Sequence, residues 1–514
     1  MGAPAVRVQA VGARPPGYPR WMRSIGRERA VVAPDGVWAP ARRPLTMGLV
    51  LAVTVVAFEA LAVATVLPIV SHELGDLRLY GWVFSAFLLA SLLGIAVTGT
   101  IADRGPLQGP MLAGLALFAA GLLVGGTAPD MPVLVGGRAL QGLGAGVVPA
   151  VAYVAISRGY PDRTRPRMFA VLSTAWVVPG LIGPAAAAVV ATLVGWRWVF
   201  LGLLPLVGVA GLLAVLALRH VPPPDHARHA HVPYLPVVGV IVGAAVALGS
   251  ATEGDVPVVV IGLACGIALL GLSLRRLTPP GTLRAAPGLP ATVLTRGLMT
   301  FAFYAAEAYV PYALTTVRHS APTLAALALV ASTLTWTAGS WTQARYVGRV
   351  GPRRLVRIGA GVTLLGLAAM GVALLPAVPA AAGVLAWGVA GGGMGLAYAP
   401  LSVTTLDRAA PGEAGKATSA LQLCDVLGQA LGTGGAGALV VAAVATGLGH
   451  RVGVGLAFGL GAVLGLGALV LGRRLPTRLR GDAHAAELGG AGDGEAPVNS
   501  QSAVAAPVPL DPAS

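Results

Sequence analysis

Long apolar runs follow one another along most of the chain, and short polar segments separate them. A bilayer core about 30 Å thick is crossed by a helix of roughly 20 residues, so these runs predict fourteen membrane-spanning helices. We place them at 47–70, 80–102, 109–128, 132–156, 168–193, 197–218, 235–251, 256–274, 291–315, 321–344, 356–378, 380–404, 418–446 and 452–472. The seventh and eighth spans are short and carry no charged residue.

The two ends of the chain lack this pattern. Residues 1–46 are rich in Arg, Pro and Gly, and residues 475–514 are rich in small and polar residues, so both segments predict disordered tails. Of the 514 residues, 56% are hydrophobic and only 11% are charged, and the mean hydropathy is +0.78. A soluble domain has about twice that share of charged residues. We therefore predict an all-α integral membrane protein.

Arginine supplies most of the formal net charge of +15, and the arginines cluster in alternate loops between the predicted spans. By the positive-inside rule, these loops and both termini are cytoplasmic, and the number of spans is even. Topology alone explains this charge distribution, so it predicts no nucleic-acid partner. Cys265 and Cys424 lie within apolar runs and suggest neither a disulfide nor a metal site. We predict a multi-pass protein of the cell membrane.

Three segments of the first half of the chain recur in the second half at a nearly constant offset. The matching pairs are Glu59 with Glu307 (307 − 59 = 248), Asp103 with Gly348 (348 − 103 = 245) and Gly142 with Gly391 (391 − 142 = 249). Transporters are commonly built from such related halves. The repeat predicts an N-terminal six-helix half at 47–218, a linker with two inserted helices at 219–290 and a C-terminal six-helix half at 291–474.

Glu59 and Glu307 each lie well inside an apolar span. A charge at the centre of a membrane helix costs about 2.5–3.5 kcal/mol on insertion scales, so such a residue faces a cavity or a partner. Burial favours the neutral form of a carboxyl group, and a buried carboxyl can therefore exchange a proton near physiological pH. We predict that both glutamates are proton-coupling residues. The alternative is a permanently protonated glutamate in a structural hydrogen bond.

Three segments carry recognisable motifs: "GTIADR" at 99–104, "RALQGLGAG" at 138–146 and "WVVPGLIGPAAA" at 176–187. In this order they resemble the motif between the second and third helices, the fourth-helix motif and the fifth-helix antiporter motif of the major facilitator superfamily, in its fourteen-helix branch of drug:proton antiporters. The resemblance runs from about Met47 to Arg474. It implies a bundle of two pseudo-symmetric six-helix halves plus an inserted helix pair, fourteen transmembrane helices in all.

The resemblance also implies roles for residues of these motifs. The implied latch between the halves consists of Gly99, Asp103, Arg104 and Arg349. "GPLQGP" follows the Asp-Arg pair in place of the usual glycine and basic residues, and Gly348 stands where an aspartate is common, so this latch departs from the family pattern. A solvated turn at the membrane edge is the alternative for the Asp-Arg pair.

The other two motifs concern the proton and the seal of the cavity. Arg138 would tune the acid that binds the proton, and the alternative is an arginine that snorkels to the surface. The implied antiporter motif, which limits uncoupled leak, consists of Pro179, Gly180, Gly183 and Pro184. Glycine and proline also serve close helix packing in many membrane proteins.

Further polar and aromatic residues complete the predicted site. Asp425 is a candidate third proton-coupling carboxyl, or else a helix cap. The candidate cavity-lining residues are Gln141, Trp336, Trp387, Tyr398 and Gln422. The aromatic members can instead be interfacial or packing residues.

These features together predict a proton-coupled antiporter that exports lipophilic, cationic or zwitterionic drugs by alternating access. We expect it to be a monomer, not an enzyme, with a small-molecule substrate and protons as partners and no cofactor beyond the proton gradient. The alternatives are a dedicated exporter of one metabolite or antibiotic and a proton-coupled importer, against which "PGLIGP" argues. No G-x-x-x-x-G-K-[ST] sequence is present, so an ATP-driven pump is not predicted.

Overall fold

The computed structural model describes residues 36–102, 105–161, 164–222, 234–253, 255–410 and 413–479. Over these residues the chain is all-helical, as predicted. The helices are α1 (Arg43–Leu74), α2 (Tyr80–Ala102), α3 (Gln108–Gly126), α4 (Met131–Gly159), α5 (Arg165–Thr174), α6 (Val177–Leu193), α7 (Arg197–Leu201), α8 (Leu204–Leu218), α9 (Tyr234–Ser250), α10 (Val256–Leu277), α11 (Leu289–Glu307), α12 (Val310–Tyr312), α13 (Pro322–Val350), α14 (Pro352–Ala373), α15 (Ala382–Arg408), α16 (Ala414–Ala445) and α17 (Gly449–Leu471).

Within the described residues, eleven helices are long and apolar enough to cross a membrane. The predicted number of fourteen spans is not reached by this criterion. The other three predicted spans, 168–193, 235–251 and 291–315, correspond to helices that are interrupted or short. The span predicted at 235–251 corresponds to α9, which has only 17 residues.

A proline lies just after each interruption. Because proline has no backbone N–H and its ring clashes with the carbonyl of the residue four positions earlier, it kinks or breaks a helix at that point. Pro179 lies four residues after Ala175, where a turn separates α5 from α6. Pro311 lies four residues after Glu307, the last residue of α11. The chain then continues through α12 and a π-helical turn at Ala313–Val317, so Glu307 lies at a helix break and not inside a continuous helix.

Glycines pack the helices of each half in the same way. A Cβ atom on Gly142 of α4 would overlap the carbonyl oxygen of Phe87 in α2, and one on Gly391 of α15 would overlap that of Ser332 in α13. The offsets, 391 − 142 = 249 and 332 − 87 = 245, lie within the range of the sequence repeat. The same relation joins Gly146 to Ser91 and Gly395 to Trp336.

The two halves meet at the end of the bundle opposite the arginine-rich loops. The buried ring of Tyr80, the first residue of α2, lies 5.1 Å from the ring of Tyr309. The Tyr80 hydroxyl donates a hydrogen bond to the carbonyl of Ala308 at 3.2 Å. Closer to the middle of the bundle, the Ser85 hydroxyl of α2 donates to the carbonyl of Ala430 in α16 at 2.9 Å. These contacts join the halves through α2, α11 and α16.

Helices α9 and α10, which the sequence predicts to be an inserted pair, pack against each other, and α9 also packs against α2 and α16. A Cβ atom on Gly243 of α9 would lie 2.9 Å from the carbonyl oxygen of Gly266 in α10, so the two helices are in close contact. α9 lies against α2, and the side chain of its Leu248 contacts Gly434 of α16. α10 lies outside α9.

The structure also shows where the bundle begins and ends. α1 begins at Arg43, four residues before the predicted span and inside the segment predicted as a tail. The hydroxyl of Thr46 donates to the carbonyl of Val37 at 2.6 Å. At the other end, Leu475 is fully buried, and Arg353 of α14 donates to its carbonyl oxygen. The first residues of the predicted C-terminal tail therefore pack against α14.

Candidate functional site

Glu59 of α1 and Arg138 of α4 form an ion pair inside the N-terminal half. Both residues are only 1% exposed, and Arg138 Nη1 donates a hydrogen bond to Glu59 Oε1. Removing one partner of a buried ion pair is strongly destabilising, because it leaves the other charge without compensation. The pair therefore ties α1 to α4 as long as both side chains are charged.

Arg138 has three further contacts that hold it in place. Its Nε donates to the carbonyl of Val83 at 3.0 Å, and its Nη1 donates to Gln141 Oε1 at 2.7 Å. Its guanidinium lies 4.2 Å from the centroid of the Phe87 ring. Arg138 is therefore buried and hydrogen-bonded, and its side chain does not snorkel to the surface.

The Glu59 side chain has one strong contact, to Arg138, whereas the Arg138 side chain has several. The second carboxyl oxygen, Glu59 Oε2, is buried without a hydrogen-bond partner among the described residues, and so is the amide Nε2 of Gln141. Protonation of Glu59 would weaken its single strong contact. Arg138 would keep its carbonyl, amide and ring contacts, which do not involve Glu59.

Glu307 has a different environment, although the sequence repeat matches it to Glu59. The position that corresponds to Arg138 is Trp387 (387 − 138 = 249), a fully buried residue that carries no charge. The Oε2 atom of Glu307 is buried without a hydrogen-bond partner among the described residues. The repeat therefore provides a second carboxyl group but not a second arginine opposite it.

The C-terminal half has its own buried ion pair, between Arg296 of α11 and Asp425 of α16. Arg296 Nε donates to Asp425 Oδ1 at 2.7 Å, and Tyr398 of α15 donates its hydroxyl to Asp425 Oδ2 at 2.8 Å. Arg296 Nη1 also donates to the Tyr398 carbonyl at 2.7 Å. Asp425 lies eleven residues after the start of α16 at Ala414, so it is not a helix cap.

Arg296 is a residue that the sequence reasoning missed. A signal was available: Arg138 lies seven residues after the first residue of α4, and Arg296 lies seven residues after the first residue of α11. A charge that far inside an apolar span requires a partner in both cases.

Three of the candidate cavity residues gather around Phe303 of α11, which sequence reasoning also missed. The ring of Phe303 stacks on Trp387 with centroids 4.6 Å apart and meets Trp336 edge-on at 5.4 Å. Trp336 in turn lies 5.3 Å from Tyr398. The aromatic cluster thus adjoins the Arg296–Asp425 pair. Gln422 is half-buried one turn before Asp425, whereas Gln141 belongs to the Arg138 cluster.

The four residues of the predicted antiporter motif are all buried in α6. A Cβ atom on Gly180 would overlap the side chain of Thr333 in α13, which belongs to the other half. A Cβ atom on Gly183 would lie at ordinary contact distance, 3.7 Å, from the ring of Phe58 in α1. Gly180 therefore faces the boundary between the halves, and Gly183 faces its own half.

Only part of the predicted latch lies within the residues that the structure describes. Gly99 lies in α2, whereas Asp103 and Arg104 lie outside the described residues. Arg349 is exposed in the last turn of α13. Among the described residues, no group of three or more His, Cys, Asp or Glu side chains has the arrangement needed to hold a metal ion.

Comparisons with known proteins agree on one family. The family model described as Major Facilitator Superfamily matches residues 49–433. A relative named "Probable multidrug-efflux transporter" from Mycobacterium tuberculosis (strain ATCC 25618 / H37Rv) is 29% identical over 399 residues, which cover 73% of this chain and 83% of that protein.

Two further comparisons cover different shares of this chain. A relative named "Acurin A biosynthesis cluster MFS-type transporter" from Aspergillus aculeatus (strain ATCC 16872 / CBS 172.66 / WB 5094) is 29% identical over 191 residues, 36% of this chain and 34% of that protein. The crystal structure of a D-xylose-proton symporter superposes with a TM-score of 0.61 at 15% identity, covering 85% of this chain and 98% of that chain. The superposition shows that the two chains share a fold.

Proposed function

The chain belongs to the Major Facilitator Superfamily, and on this premise we propose that it is a proton-coupled antiporter that exports lipophilic cationic or zwitterionic drugs. The membrane-spanning helices and the family make it a multi-pass membrane transporter. Proton coupling, antiport and drug export are the further steps of the proposal.

The buried Glu59–Arg138 pair is the observation that carries the proposal. A proton on Glu59 removes the charge that holds α1 to Arg138. The loss of one partner of a buried ion pair destabilises the conformation that contains the pair by about 3–5 kcal/mol. A shift from 1:99 to 99:1 between two conformations requires about 5.5 kcal/mol, so one proton is of the right scale to change which state is populated.

The transport cycle follows from competition between the proton and the substrate. In the outward-open state Glu59 takes up a proton; in the inward-open state it releases the proton as a cationic substrate binds. Arg138 favours release, since a neighbouring positive charge stabilises the carboxylate. Inward proton flow is thereby coupled to outward export of the substrate.

The C-terminal half supplies two further carboxyl groups to this cycle. Asp425 is paired with Arg296 and hydrogen-bonded to Tyr398, so its protonation would loosen α11 from α16. Glu307 has no arginine opposite it, and we propose that it stays protonated and offers its neutral carboxyl group to the substrate as a hydrogen-bonding group. The aromatic cluster around Phe303 provides apolar surface and ring faces that bind lipophilic cations.

We further propose that the chain belongs to the fourteen-helix branch of the antiporters. It would lie in the plasma membrane, with both termini in the cytoplasm. The supporting features are the α9–α10 pair, the contact of Gly180 with Thr333 at the boundary between the halves, and the arginines of alternate loops. The protein would act as a monomer, with the proton gradient as its energy source and no cofactor.

The name of the M. tuberculosis relative supports several substrates over a single one. A second candidate is a dedicated exporter of one metabolite, which the name of the acurin-cluster relative favours. A panel of structurally unrelated cationic compounds separates the two. Raised resistance to several of them supports the drug exporter, and raised resistance to a single compound supports the dedicated exporter.

Inside-out membrane vesicles test the proton coupling. We expect vesicles that contain the protein to accumulate a cationic dye when their interior is acidified, and to lose it when nigericin collapses the pH gradient. Vesicles from cells without the gene provide the control. Accumulation that persists after the gradient has collapsed would contradict a proton-driven mechanism.

A further inference from the structure

A polar hollow of about 300 Å³ lies where α10 ends. Its lining includes the arginines Arg275 and Arg284 and the backbone of Gly281. Both arginines are exposed, and neither forms an ion pair with a described residue. The hollow lies at the end of the bundle that carries the arginine-rich loops, so it faces the headgroup region of one leaflet.

Hydrogen bonds fix the loop that forms the hollow. Arg474, just after α17, donates from Nη1 to the carbonyls of Arg284 at 3.1 Å and Ala285 at 2.8 Å. The hydroxyls of Thr278 and Thr282 each donate to a backbone carbonyl of the same segment at 2.7 Å. The loop is thereby held to the C-terminal half, while the guanidinium groups of its arginines remain available.

The helix that leads to the hollow has an apolar, uncovered surface. Only Gly266, Leu270 and Ser273 of the 22 residues of α10 are buried. Its exposed apolar side chains run from Val256 at one end to Leu272 near the other. At 1.5 Å per residue the helix is about 33 Å long, which matches the hydrocarbon thickness of a bilayer. The surface of α10 is therefore suited to contact with lipid acyl chains.

We propose that the hollow binds the phosphate headgroup of an anionic phospholipid whose acyl chains pack along α10. Guanidinium groups recognise phosphate oxygens with paired, charge-assisted hydrogen bonds, and basic pockets at the ends of membrane helices recognise anionic headgroups. The continuous apolar face of α10 selects a lipid over free phosphate. This site goes beyond the proposed transport function and does not depend on it.

The neighbouring Arg276 provides a matched control. It lies in the same last turn of α10 and is exposed, yet it does not line the hollow. If the arginines acted only through general surface charge, replacement of Arg276 would matter as much as replacement of Arg275. A headgroup held in the hollow requires Arg275 and Arg284 and tolerates the loss of Arg276.

Native mass spectrometry of the full-length protein, titrated with phosphatidylglycerol or phosphatidylcholine in detergent, tests the proposal. We expect tighter binding of phosphatidylglycerol, an affinity loss of about fivefold for each of Arg275→Gln and Arg284→Gln, and little change for Arg276→Gln. Arg275→Lys, which keeps the positive charge, should retain part of the affinity. Millimolar inorganic phosphate should not displace the lipid.

Three results would overturn the proposal. Equal losses in all three glutamine variants would indicate surface charge without a site, and unchanged binding in Arg275→Gln and Arg284→Gln would exclude the hollow. Displacement of the lipid by inorganic phosphate would indicate a site for free phosphate. Melting temperatures of the variants, measured in the same detergent, identify any variant that fails to fold, and Arg275→Lys then tests the site by itself.

Discussion

At the scale of single residues, buried charges pair within each half of the bundle: Glu59 with Arg138, and Arg296 with Asp425. Glu59, Arg138 and Asp425 could be singled out from the sequence because each interrupts a run of apolar residues. Their partners could not be predicted, since pairing depends on which helices cross at what depth. The repeat suggested equal roles for Glu59 and Glu307, but only Glu59 has an arginine opposite it, because the repeat places Trp387 where Arg138 would recur.

The buried pair makes a prediction about stability. Arg138→Ala should destabilise the protein by about 3–5 kcal/mol, because Glu59 is left buried without its partner. The double variant Glu59→Gln/Arg138→Ala should recover a large part of this loss, since no carboxylate is then stranded. Thermal unfolding in detergent measures both.

The exposed pair between Arg197 and Glu73 serves as a control for that experiment. Exposed ion pairs contribute about 0–1 kcal/mol, so Arg197→Ala should have a much smaller effect than Arg138→Ala. A melting temperature of Arg138→Ala equal to that of the wild type, or a double variant no more stable than Arg138→Ala, would contradict the account of the pair.

At the scale of helices, glycine and proline decide both packing and interruption. The recurrence of Gly142 at Gly391 was visible in the sequence, and the structure uses both glycines for close contact with a neighbouring helix. The breaks before Pro179 and Pro311 were not predicted, although proline acts on the residue four positions earlier. A pattern of apolar residues continues through such a break and therefore hides it.

Two glycines of α4 test this view of packing. Gly142→Ala should lower the melting temperature, because the added Cβ overlaps the carbonyl of Phe87 in α2. Gly136→Ala, on the same helix, adds a Cβ with no atom within 4 Å and should leave stability unchanged or raise it, since alanine is favoured over glycine in a helix by about 1 kcal/mol. Equal melting temperatures for the two variants would show that the contact does not limit packing.

At the scale of the whole molecule, the halves are joined at the end opposite the arginine-rich loops. Tyr80 and Tyr309 lie in this junction, and Ser85 joins the halves closer to the middle of the bundle. Composition and the apolar runs were enough to predict a helical membrane protein. They could not predict at which end the halves meet, since that depends on contacts between residues more than 200 positions apart in the chain, such as Tyr80 with Ala308.

The central claim is that Glu59 carries the transported proton, and substrate-induced proton release tests it most directly. Once a substrate is known, its addition to the purified protein in weakly buffered detergent should release protons, which a pH-sensitive dye reports. We predict that Glu59→Gln abolishes this release, whereas Glu73→Gln, which replaces an exposed carboxylate on the same helix, retains it. Proton release from Glu59→Gln equal to that of the wild type, with substrate bound, would contradict the claim.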